Sequence, residues 1–244
     1  MTEVVKPNVA NNRIGKEAYN KDYIELQLFL ENWDSNYKKE ISKIDIFNTN
    51  VTKNFSANQK EFFARTFYHI RGHFYKFLWL LGNQAPNDKA KQQIIYNIEE
   101  EFGGNNPSHE ELYFRFADSL GLDIRDEFIT DEHHLPFIKK FNTEHLKWLD
   151  NHDWISKWSA FSAYERLDNI DYANLLNLAK SLGAKENGLV FFIIHNKADH
   201  FDRTYHGLED AWNLSKENVK QAFQFIGEHQ INMWKLLSEA TSEK

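Results

Sequence analysis

Between its prolines and glycines the chain repeats apolar residues at intervals of three and four, with no convincing alternating stretch. That spacing restricts it to packed α-helices, because a face that recurs every 3.6 residues cannot be buried by a strand. The expected helices cover about 16–47, with a break near Trp33–Tyr37, and then 57–81, 88–102, a segment opening after Pro107, 136–150, 153–167, 170–182, 186–212 and 215–240. Ser56-x-x-Gln59 and Ser108-x-x-Glu111 are capping-box patterns that mark two of the starts. Gly82, Pro86, Gly103-Gly104, Gly121, Pro136, the Asn151–Asp153 stretch and Gly183 mark boundaries.

Nothing resembling a linker divides the 244 residues, so a single all-helical domain over 16–244 is expected, preceded by a loose tail over 1–15. Twenty Phe, ten Tyr and seven Trp supply an unusually aromatic interior, of the kind that often surrounds a pocket. A formal charge of −7 without a basic run argues against nucleic acid or an anionic membrane as partner. There is no apolar run of signal-peptide length or of the ~20 residues a membrane span needs, so a cytoplasmic location is expected.

The absence of cysteine excludes disulfides, thiolate metal sites and cysteine nucleophiles. No phosphate-binding glycine loop, Gly-x-Ser-x-Gly elbow or His-Glu-x-x-His is found either. A metal site would have to be built from imidazole and carboxylate alone.

Such groups lie on faces that should be buried. At about 100° per residue, His195, Asp199 and Asp202 continue the stripe begun by Gly188, Phe191 and Phe192, so all three are expected to point inward. Glu165 shares a face with Trp158 and Phe161, and Glu101 shares one with Ile94 and Ile98. His109 sits on the stripe of Leu112, Tyr113 and Phe116, across the Gly103-Gly104 loop from Glu101. Buried bare carboxylates cost several kcal/mol each unless cations, donors or a metal compensate them. A hydrogen-bonded polar network is the plain alternative. In that same plain reading Glu99-Glu100-Glu101 is a solvated acidic run, His69 and His73 are core histidines, and His133-His134 is a solvated loop pair.

The ordered set Asn97-x-x-x-Glu101-x-Gly103, His109, Glu165 and Phe191-Phe192-x-x-His195-x-x-Ala198-Asp199 resembles the haem-oxygenase-like di-metal oxidases. That group includes the chlamydial protein associating with death domains and is related to the TENA/THI-4 and PqqC proteins. The resemblance covers about residues 55–235 and implies a bundle of about seven core helices holding two iron ions, or iron and manganese, with dioxygen as co-substrate. It further implies that Glu101 and His109 ligate one metal, Glu165 bridges or ligates both, and His195 and Asp199 serve the second. Asp202 stands where the family pattern has a final His, and carboxylate can replace imidazole for these metals. A set of Asp199, Asp202 and His206 is a lower-ranked alternative.

The expected activity is oxidation of a small organic substrate by a non-haem di-iron oxidoreductase. The expected partners are that small molecule and a second copy of the chain, a dimer, with neither nucleic acid nor membrane. The rival readings are a metal-free PqqC-like oxidase or TENA-like hydrolase, and a non-catalytic interaction protein on the same fold.

Overall fold

In the computed structural model, residues 9–197 and 200–244 are described, with side chains from residue 21 onward except His200. Among them no strand occurs. The helices are α1 (Val9–Ile41), α2 (Thr49–Thr52), α3 (Ala57–Arg71), α4 (Phe74–Gln84), α5 (Asp88–Phe102) and α6 (His109–Ser119). They continue with α7 (Glu127–Thr130), α8 (Pro136–Asp150), α9 (Trp154–Leu182), α10 (Val190–Lys197), α11 (His200–Leu214) and α12 (Lys216–Ser242).

Local chemistry sets most of these limits. At Ser56 both halves of the capping box form, Gln59 N–H donating to Ser56 Oγ and Ser56 N–H to Gln59 Oε1. At Ser108 only half forms, because the Glu111 carboxylate accepts from Arg115 instead of turning back. Asp153 caps α9 through Ser156 N–H, and Gly183 ends it in the left-handed conformation that glycine adopts without a Cβ penalty.

Several expected boundaries move, and α1 runs to Ile41 without the expected break near Trp33–Tyr37. Val9 to Gly15 are helical, so the loose tail is not seen over that part of 1–15. The expected 57–81 helix is divided by a turn at Gly72-His73 into α3 and α4. Conversely, α9 runs unbroken through Asp168-Asn169, where the polar stretch suggested a gap; Asp168 is turned into the core and lines a cavity there.

Helix α9 is the central element, packed by α10, α11 and α12 along its length. Its buried stripe of Trp158, Phe161, Glu165, Leu167, Ile170, Leu175 and Leu178 mixes acid with hydrocarbon. Each fully buried Leu, Ile or Phe contributes about 1.5–3 kcal/mol, so one cluster spanning α1 to α12 can carry the cost of a few buried polar groups. No helix of the described residues is long and apolar enough to cross a membrane.

Candidate metal centre

Glu101 and His109 stand at the facing ends of α5 and α6, and the turn between them is fixed by Gly103. That residue has φ +90°, and a Cβ there would lie 2.4 Å from the Asn106 carbonyl oxygen, so no other residue fits. The tight turn brings His109 Nδ1 to 2.8 Å from Glu101 Oε1. Of the three consecutive acids, Glu99 is exposed and Glu100 pairs with Arg203 at 2.8 Å, leaving Glu101 to face inward.

His195 reaches the same point from α10. Its Nδ1–H donates to the Phe191 carbonyl at 2.7 Å, which leaves Nε2 with the lone pair a metal requires. Tyr172 stacks on the ring at 4.1 Å and fixes its plane, and the His109 ring lies 4.4 Å away. One ligand atom from each of Glu101, His109 and His195 falls within 4.8 Å of the others.

Beside this group an enclosed cavity of about 40 Å3, room for about three waters, is lined by Arg71, Glu101, Asp168, Asp171, Tyr172 and His195 among others. Glu165 is buried, and its pKa is pushed up to about 8 by burial and by the nearby Glu101 and Glu100 carboxylates. Burial, with Glu165 next, also pushes Asp168 well above the usual range. No hydrogen bond contributes to either shift. Asp171 is raised less, to about 7, because Trp234, Tyr37 and Gln230 donate to it and partly offset burial.

This donor set fits a hard, borderline cation. Two imidazoles and three carboxylates from four helices, two of the acids without donors among the described residues, are what iron or manganese takes and what an empty hydrocarbon core would not tolerate. Arg71 is the cation nearest the cavity; its guanidinium lies against the Tyr68, Tyr113 and Phe191 rings, and its Nε is buried without a partner.

The expected ligands therefore part company. Glu101, His109 and His195 are brought together, and Glu165 lies within electrostatic reach of Glu101. Asp199 lies outside the described residues. The inward placement of Asp202 is not met: its side chain is exposed and lines a surface pocket with Asp34, Arg166 and Tyr205. The reason is a change of phase. The buried stripe of α10 runs through Phe191, Phe192 and His195, whereas that of α11 runs through Phe201, Thr204, Leu208, Ala211 and Trp212, nearly half a turn away on a helical wheel. His206 is exposed as well and contacts Glu209 at 3.2 Å, so two members of the alternative set face solvent.

Asp168, Asp171, Tyr172 and Arg71 escaped the sequence reading. Extending the Glu165 stripe of α9 by three and seven residues reaches Asp168 and Tyr172, so that signal existed. Arg71 carried none. The loop pair His133-His134 is not merely solvated either: His133 bonds Glu127 and His134 bonds Asp131.

A family model described as iron-containing redox enzyme matches residues 61–215. Among solved structures, a CADD-like protein of unknown function from Nostoc punctiforme PCC 73102 is similar at TM-score 0.65 and 15% identity, over 88% of this chain and 96% of that one. A domain of unknown function with a heme oxygenase-like fold from Shewanella denitrificans OS217 aligns at TM-score 0.69 and 15% identity, over 89% and 92%. At that identity the likeness establishes the fold, which is haem-oxygenase-like. No curated protein matches the chain.

Proposed function

The chain belongs to the iron-containing redox enzyme family, and on that premise we propose that it is a non-haem di-iron, or iron/manganese, oxidoreductase that uses dioxygen to oxidise a small organic substrate. The observation that carries this reading is the meeting of Glu101, His109 and His195 beside two more buried acids that have no hydrogen-bond donor among the described residues.

Glu101, His109 and His195 would hold one ion, and Glu165 with Asp168 would supply oxygens toward a second. When bound, iron provides the one-electron chemistry by which dioxygen is activated. The chain's own work is to orient and to exclude water. Tyr172 and the Phe191 carbonyl hold His195 in one tautomer, and Phe67, Phe74, Phe191 and Trp234 wall the cavity from solvent. Arg71, desolvated on one side by aromatic rings, is placed to draw an anionic group of the substrate into the cavity. Asp171, raised to about 7, can hold or release a proton at the cavity's edge near neutral pH.

Anaerobic reconstitution with ferrous ion followed by elemental analysis tests the proposal. About two irons per chain, falling by at least one in His195→Ala, is the expected result. A chain that takes up no iron would instead be a metal-free oxidase, a hydrolase or an interaction protein.

A further inference from the structure

Outside the central cavity a second set of ligand-type side chains converges where α3 meets the connection from α7 to α8. His69 Nδ1 lies 3.5 Å from Asp131 Oδ1, and His134 Nδ1 lies 2.9 Å from the same oxygen. The two imidazoles are parallel, with centroids 4.9 Å apart. One ligand atom from each of the three residues falls within 4.8 Å of the others. None of them lines the central cavity.

We infer that His69, Asp131 and His134 form a separate binding site for a zinc-type divalent cation. Atoms about 2.0–2.2 Å from a tetrahedral ion stand roughly 3.3–3.6 Å apart, and the His69 to Asp131 separation already has that value. The His134 to Asp131 distance needs to open by about half an ångström, which the exposed Asp131 side chain permits.

The protonation logic points the same way. His69 is nearly buried, and its Nε2–H is taken by the fully buried Glu127 carboxylate at 2.9 Å. A neutral His69 therefore turns its Nδ1 lone pair toward the Asp131 carboxylate, and two electron-pair donors face each other. Only a proton or a cation reconciles them. Glu127 is committed to Arg65, His69 and His133, so it orients the ligand rather than competing for the ion, the usual carboxylate–histidine–metal arrangement.

His134 has an equivalent support behind it. Asn142 places its amide nitrogen 3.2 Å from His134 Nε2, and its Oδ1 is buried with no partner. With the amide turned over, Oδ1 accepts Nε2–H, and His134 Nδ1 is left with its lone pair facing Asp131; the long 3.4 Å contact to the His69 carbonyl and the Nδ1–H bond to Asp131 are given up, the latter in exchange for the ion. A cleft lined by Tyr68, Tyr75, Lys76 and Phe128 opens beside the three residues. It leaves a fourth position for water, so the site would clamp the four-residue α7 and its following loop onto α3.

The test titrates cobalt and zinc into the full chain carrying Glu101→Gln and His195→Ala, which disable the central group. One equivalent of cobalt with tetrahedral visible absorption is expected, with affinity reduced at least 100-fold by adding His134→Ala and 10- to 100-fold by adding Glu127→Gln. No binding in that background, or binding indifferent to His134→Ala and Asp131→Asn, overturns the inference. A second measurement avoids dependence on the folding of the multiple variants. In the otherwise unaltered chain, His134→Ala must remove one zinc equivalent while the iron count stays the same. An unchanged zinc count refutes the site independently of whether the central centre binds iron.

Discussion

Replacing Glu165 by Gln should make the metal-free protein more stable at neutral and higher pH, although it removes a residue from the centre of the fold. The side chain is 2% exposed and its pKa is raised from 4.5 to about 8, by burial first and by Glu101 and Glu100 next. Keeping it charged in the folded state would cost about 5 kcal/mol, at 1.36 kcal/mol per unit. Below pH 4.5 the carboxyl is protonated both folded and unfolded, and nothing is lost. Between 4.5 and about 8 the unfolded chain releases the proton and the folded one keeps it, so native stability falls as pH rises, by about 4 kcal/mol at pH 7.5. Gln cannot ionise and has nearly the same shape, but its amide is also left short of partners, which returns part of the gain. The net expectation is a variant about 2–4 kcal/mol more stable than the wild type at pH 7.5 and equal to it near pH 4.5.

Urea unfolding of metal-free protein at several pH values reads this difference directly, and comparing the two chains cancels every other titrating group. Ferrous ion should narrow the difference. At a hundred times its dissociation constant a ligand adds about 2.7 kcal/mol, available to the wild type and reduced in the variant. A variant no more stable than the wild type at pH 7.5, or a difference independent of pH, would show that Glu165 is not held protonated by its surroundings.

Gly103→Ala should cost about 1–3 kcal/mol from the positive φ alone, more with the clash against the Asn106 carbonyl, and should weaken iron uptake by separating Glu101 from His109; thermal melting and metal analysis read the two effects. Gly207→Ala, which in an open helix would stabilise by about 1 kcal/mol, should instead lower the melting temperature, because a Cβ there meets the Trp158 ring at 2.2 Å. Acid should unfold the protein through its buried imidazoles. Burial lowers His73 to about 3 and His145 well below its ordinary 6.5, and neither ring nitrogen of either residue has a partner. Their contribution is intact above 6.5 and is lost as pH falls, by about 2 kcal/mol for His73 at pH 5. His145→Phe, set among Phe77, Tyr164 and Phe225, should lose less stability than the wild type between pH 7 and pH 5; equal losses measured in urea would refute the assignment.

The all-helical fold, its haem-oxygenase-like class and the inward face of Glu101, His109, Glu165 and His195 were legible in the amino-acid order, because helical periodicity and glycine stops act within a few residues. Phase within one helix is a local property. Phase across a junction is not: Asp202 left the buried stripe because α11 presents a different face to α1, α9 and α12 than α10 presents to α6 and α9. Likewise, only tertiary packing decided that α9 would run through Asp168, that Arg71 would be desolvated beside the cavity, and that His69, Asp131 and His134, taken from distant stretches, would share one point. Sequence determines which surface a helix can bury, but which acid ends beside which imidazole follows from how helices cross, a sum of contacts among side chains far apart in the chain.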